Sequence, residues 1–259
     1  MASYLTLPFR TNSLDEGLIP AVEKGLSVTK RIGLLGASVT QHPQFNQLMK
    51  WLDQEKFNDI RISVSSVRAG TVTEDFSRIL AKRGAKSITI AIESGSEKIR
   101  NIVNKKLTEE EILNAAKNAS SGGLKNLKLY GMVGIPSEVD SDIEKTADLL
   151  IKLKGQTPNL NYTLGVSTFV PKAHTPFQWH GVSHNAEKRL KILLKRLRPK
   201  GINVRPESYK WSLIQALISR GDRRLAPVIY ALKGSKKSLG EWKNAYKAAC
   251  KEELILNSH

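Results

Sequence analysis

The sequence predicts an α/β fold of repeated strand–helix units around a parallel sheet. Three observations carry that prediction. Five short segments rich in β-branched residues recur roughly 25 to 40 residues apart. Between them run stretches with apolar residues at three- and four-residue spacings. Residues 87–105 (SITIAIESGSEKIRNIVNK) then pass abruptly from strand to helix at Glu93-Ser94-Gly95-Ser96. Ile88, Ile90 and Ile92 mark the strand, and Ile99, Ile102 and Val103 the helix. In a parallel sheet such turns lie at the carboxyl ends of the strands, where ligands bind. The same residues also suit a plain helix cap, with Ser94 or Ser96 accepting from free N–H groups and Glu97 at the positive end of the helix dipole.

In chain order, residues 1–12 (MASYLTLPFRTN) read as a loop with no element before it. Ser13 with Asp15-Glu16 opens a helix running to about residue 29, against the drag of Pro20 and two glycines. Residues 31–37 (RIGLLGA) are a strand, and Phe45, Leu48, Met49 and Leu52 form the inner face of the next helix. Residues 60–66 (IRISVSS) are the second strand, after which Thr73 caps a helix through Arg83. The third strand is residues 87–92. Thr108 with Glu111 is a capping box, Ile112, Ala115, Ala116 and Ala119 share one face, and Gly122-Gly123 stop that helix. Residues 126–134 (NLKLYGMVG) are the fourth strand. Pro136-Ser137-Glu138 turns into a helix holding Ile143, Ala147, Leu150 and Ile151. Residues 160–170 are the fifth strand. Thereafter the pattern turns helical: residues 187–198, a short extended piece at 202–205, then about 208–219, 222–233 and 239–253. Strands flanked by helices favour a barrel, with an open doubly wound sheet as the other arrangement of such units.

The composition bounds what such a fold can do. The chain has 259 residues, 40% of them hydrophobic, enough for a substantial core. No apolar run approaches the ~18 residues of a membrane span, and no signal peptide is evident, so a cytoplasmic setting is expected. Cys250 is the one cysteine, which excludes an internal disulfide and an all-cysteine metal site within this sequence. It reads as a small apolar residue on the last helix. The five histidines lack ligand spacing, including His174 in the loop after the fifth strand. Net charge is +17, and residues 181–259 hold 18 Lys/Arg against 6 Asp/Glu. That basic third suits an acidic partner, RNA or DNA first, or a solubilising surface.

Side by side, the strand ends offer Gly36-Ala37, Ser65 with Arg68, Glu93-Ser94, Lys128, Gly134-Ile135 and the segment beginning at Phe169-Val170. One acid, two cations, hydroxyls and small residues would suit a zwitterion carrying a sugar. A pairing of Lys128 with Glu93 across neighbouring strands would equally explain both.

Several stretches together resemble radical S-adenosylmethionine enzymes: IAIESGSEKIRNIVNK their fourth-strand segment, YGMVGIPSEVDSDIEKT the fifth, and VSTFVPKAHTPFQW the sixth of the subgroup carrying a cobalamin-binding domain. ALISRGDRRLAPVIYAL and the later GEW resemble the helical extension of that subgroup. The resemblance implies a partial (βα)₆ TIM-like barrel, here lacking its first strand, with a C-terminal α-helical extension. It divides the chain into barrel strands two to six (1–180) and a basic helical extension packed on them (181–259). It also implies S-adenosylmethionine as cofactor, a [4Fe–4S] cluster, and radical modification or methyl transfer, with cobalamin in the intact protein.

The departure is the cluster motif: CxxxCxxC is absent. Since YLTLPFR resembles a segment just after the third cysteine, a chain truncated behind that motif, or a mis-called start, is expected. That would leave the strand at 31–37 with an open edge. Carried over by resemblance, Gly36-Ala37 would meet the amino group, Ser65, Arg68 or Lys128 the carboxylate, Glu93 and Ser94 the ribose, and Gly134-Ile135 and Val170 the adenine. At the amino-group position GAS stands where many members have a GGE-like triplet. The rival expectation is a cluster-less module that binds S-adenosylmethionine or RNA.

Overall fold

The structure is a computed structural model and describes residues 10–36, 38–234 and 237–251. Ala37, the segment before Arg10 and the side chain of Cys250 lie outside the described residues. A π-helical turn, Leu14–Leu18, leads into α1 (Ile19–Leu26). Then follow β1 (Arg31–Leu34), α2 (Phe45–Leu52), β2 (Arg61–Val64), α3 (Glu74–Lys82) and β3 (Ser87–Glu93). The middle of the chain is α4 (Glu97–Ile102), α5 (Glu109–Ser121), β4 (Asn126–Val133), α6 (Asp140–Gln156) and β5 (Asn161–Thr168). It closes with α7 (Ala186–Leu197), β6 (Asn203–Pro206), α8 (Tyr209–Arg220), α9 (Ala226–Ala231) and α10 (Leu239–Lys251).

All strand pairs are parallel and every neighbour is the next strand in sequence: β1–β2, then β3–β4–β5–β6. One bridge, Val67 to Ile90, joins the two sheets. A doubly wound sheet needs a reversal of strand order, and none occurs among the described strands. Right-handed crossovers then put the helices on one side, the arrangement of a barrel wall. Among the described residues the wall does not close.

Alternation within the strands shows which side is which. Ile88, Ile90 and Ile92 of β3, Leu127, Leu129 and Val133 of β4, and Tyr162, Leu164 and Val166 of β5 are buried. Ile112, Ala115, Ala116 and Ala119 of α5 and Ile143, Ala147, Leu150 and Leu153 of α6 belong to the same core. Each large aliphatic side chain so buried contributes about 1.5–3 kcal/mol. Between them Thr89, Ala91, Glu93, Lys128, Tyr130, Met132, Thr163, Gly165 and Ser167 are partly or wholly exposed. A sheet with helices on both faces would show continuous apolar strands instead. The concave face here is open and polar.

The capping expected from sequence is present. Thr73 Oγ1 accepts from Phe76 N, and Thr108 and Glu111 bond each other's backbone N–H groups. The main core runs past residue 180: Leu190, Leu193 and Leu197 of α7 and Val204 of β6 belong to it. A second, small core gathers Leu225, Val228 and Ala249 with Leu217 and Trp242. Among the described residues, no helix is long and apolar enough to cross a membrane.

Candidate functional site

The strand tips open onto a row of cavities, with β3 in the middle. Its last residue, Glu93, has φ at 63°, and the pairing register with β4 shifts between Ala91 and Glu93. A non-glycine residue in this region is costly and persists only where its surroundings hold it. The hold is visible: Lys105 Nζ donates to Glu93 Oε1 at 2.9 Å. Glu93 lines a cavity of about 380 Å³ together with Lys128, Tyr130, Met132, Ser167 and Arg205. Lys105 lines the adjoining cavity of about 310 Å³ with Ser66, Arg68 and Ala91. The Glu93–Lys105 pair is thus a partition between the two.

Beyond Glu93 the chain turns tightly. Ser94 and Ser96 are buried to 1% and 0% exposure. Ser94 Oγ accepts from Ser96 N and lies 3.3 Å from Thr146 Oγ1 on α6. Ser96 Oγ donates to Asp142, which also accepts from Lys98 Nζ and Val139 N. Burial pushes the Asp142 carboxyl up, but these donors outweigh it and hold it below the usual range. Arg100, buried, donates to the carbonyls of Ser94, Gly95 and Leu107. Desolvation lowers its pKa, partly offset by Glu97 and Glu109. A Cβ on Gly95 would lie 2.4 Å from Thr146 Cα, so the turn packs directly on the α6 backbone. The serines anchor the turn; the Ser94 hydroxyl faces inward, not into a cavity.

The next tip is held from below. Gly134, with φ at 85°, donates its N–H to Glu138 Oε2 at 2.6 Å. Arg189 of α7 donates to the same oxygen at 3.0 Å and to the Glu138 carbonyl at 2.6 Å. Burial pushes the Glu138 carboxyl up to about 7, against the pull of Gly134 N–H and Arg189. This elbow fixes the backbone of Gly134 and Ile135, and Val170 follows the neighbouring tip, 9% exposed.

The ten residues expected at the site are distributed as follows. Glu93 and Lys128 share one cavity, yet Glu93 pairs with Lys105 and not with Lys128. Arg68 stands in the adjoining cavity, its Nη2 donating to Lys106 O at 3.2 Å. Gly36 lines a third, apolar groove of about 730 Å³ along the outer edge of β1, with Leu18, Val22 and Phe45. Ser65 Oγ is buried with no hydrogen-bond partner. Ser94, Gly134, Ile135 and Val170 border the tips without lining these cavities. Lys105 and Arg205 escape sequence reasoning. Lys105 follows a short helix twelve residues on, and only the ambiguous extended piece at 202–205 points to Arg205. No group of three or more His, Cys, Asp or Glu residues is arranged to hold a metal among the described residues. With one cysteine in the sequence, a [4Fe–4S] cluster does not fit these residues.

The sequence profile described as the Radical SAM superfamily matches residues 15–150. An uncharacterized protein of Methanocaldococcus jannaschii is 34% identical over 228 residues, which are 87% of this chain and 49% of that protein. The chain therefore spans about half the length of the curated relative it matches. Among solved structures, the radical S-adenosylmethionine methyltransferase TsrM of Kitasatospora setae, with cobalamin and a [4Fe–4S] cluster bound, is 9% identical with a TM-score of 0.56. That match covers 94% of this chain and 55% of TsrM. Escherichia coli coproporphyrinogen III oxidase (HemN), a radical SAM enzyme, is 17% identical with a TM-score of 0.47, covering 79% of this chain and 46% of HemN. The TsrM likeness supports the barrel-type fold.

Proposed function

The chain belongs to the Radical SAM superfamily, and on that premise we propose that it forms the S-adenosylmethionine-holding wall of an enzyme performing radical modification or methyl transfer. The observation that carries this is Glu93: an acid held at φ 63° on a strand tip, its carboxylate at a cavity shared with Lys128. Glu93 would accept from the ribose hydroxyls. Lys128 or Arg68 would hold the carboxylate, with the unpartnered Ser65 hydroxyl as a third donor. The backbone at Gly36-Ala37 would take the amino group. The elbow at Gly134-Ile135, braced by Glu138 and Arg189, would border the adenine with Val170. Ser94 would anchor the turn to α6 without touching the cofactor.

No step is assigned to a cluster, because these residues lack the thiolates to hold one. In this proposal the cluster, and any cobalamin, is held by parts of a cytoplasmic protein outside these 259 residues. The test is anaerobic iron–sulfur reconstitution of the full-length protein followed by a search for 5′-deoxyadenosine. Its formation is expected. Iron–sulfur absorbance without 5′-deoxyadenosine, or neither, would favour a second reading that the single cysteine supports. In that reading the wall binds S-adenosylmethionine without radical chemistry, or the basic surface of residues 181–259 binds RNA.

A further inference from the structure

The cavity beside Glu93 has a second wall that the cofactor reading does not use. Tyr130, Gly165 and Arg205 are register partners across β4, β5 and β6. Partners in a parallel sheet project to the same face, and all three line the cavity of about 380 Å³. The Tyr130 ring lies against Gly165: a Cβ there would come within 2.7 Å of both Cδ1 and Cε1. Gly165 therefore provides the room in which the ring rests on the sheet. Tyr130 as a whole stays 52% exposed and lines the cavity.

The charge on this wall is unspent. Among the described residues, Arg205 takes part in no ion pair, although Glu207 lines the same cavity. Glu93, by contrast, is already matched by Lys105. A free guanidinium next to an exposed ring is suited to a flat ligand bearing negative charge. An uncharged ligand would leave the cation unused, and a non-planar one would forfeit the ring face. The volume matches one small ring system, at the lower end of ordinary ligand sites.

We propose that Tyr130, Gly165 and Arg205 form a seat for a planar aromatic anion, its ring stacked on Tyr130 and its carboxylate or phosphate held by Arg205. As a substrate seat it rests on the cofactor reading above; as a ligand site it rests on this wall alone.

The test is calorimetric titration of 2-naphthoate into the full-length protein, with 2-naphthalenemethanol and cyclohexanecarboxylate as controls. Naphthoate should bind, and both controls about tenfold or more weakly. Arg205→Gln and Tyr130→Ala should each weaken naphthoate by about tenfold or more, with melting curves confirming that both variants fold. Gly165→Ala, which displaces the ring and leaves every charge in place, is the further variant should either not fold; it should also weaken binding. Absence of naphthoate binding, equal affinity for the alcohol, or an unaffected Arg205→Gln protein would overturn the proposal. S-adenosylmethionine titrated in parallel separates the two readings. Arg205-dependent naphthoate binding without cofactor binding sinks the cofactor reading and keeps this one; the converse sinks this one.

Discussion

Two carboxylates at neighbouring strand tips have different surroundings and different tasks. Glu93, partly exposed and paired with Lys105, sits in a backbone conformation that costs about 1–3 kcal/mol. Its partly buried ion pair with Lys105 offsets part of that cost. In the proposed reading a cofactor bound at the cavity would offset the rest. Glu138 is buried, and burial raises its carboxyl from 4.5 to about 7 despite Gly134 N–H and Arg189, with Asp142 adding to the rise. The folded protein thus binds that proton more tightly than the unfolded chain. Folding is favoured most below about 4.5 and loses this contribution as pH rises to about 7. Denaturant unfolding across that window should show the wild type losing up to about 3 kcal/mol relative to Glu138→Gln. Parallel pH profiles for the two proteins would contradict the assignment.

At the scale of elements, the helices and their ends were readable because their chemistry is local. Thr73, Thr108 with Glu111, and Gly122 occupy the cap positions their side chains dictate. The Glu93-to-Ser96 turn was readable as a strand-to-helix junction, but not the work of its serines, because Thr146 and Asp142 arrive from α6 some fifty residues later. Of the alternative explanation by helix capping, Glu97 does stand in the first turn of α4, but the N-cap Ser96 makes no side-chain cap bond and is committed to Asp142, while Ser94 accepts from Ser96 N. The turn's dependence on α6 is testable. Gly95→Ala drives a Cβ onto backbone at Lys145–Thr146, with no flexible side chain to yield. A loss of about 1–3 kcal/mol in unfolding free energy is expected. A variant as stable as the wild type would show that the turn does not pack as described.

At the scale of the molecule, strand order was legible from spacing alone, since sequential βα units with right-handed crossovers permit few arrangements. A barrel wall was favoured there over a doubly wound sheet, and the sequential pairing of the strands bears it out. The single mouth expected from the strand ends is a row of cavities divided by Glu93–Lys105, a side-chain pair that strand spacing does not reveal. The outer edge of β1 has no strand partner among the described residues. Charge asymmetry in residues 181–259 was plain in the sequence, but the packing of α7 and β6 into the main core depends on contacts that spacing does not reveal.

In the proposed reading the Glu93 tip, and not the serines beside it, meets the cofactor. Calorimetric titration of S-adenosylmethionine into the full-length protein and two variants decides it. Glu93→Ala should bind about 10- to 100-fold more weakly while melting as the wild type does. Ser94→Ala should lose about 1–3 kcal/mol of stability yet bind as the wild type does. Undiminished binding by Glu93→Ala, or loss of binding confined to Ser94→Ala, would contradict the account.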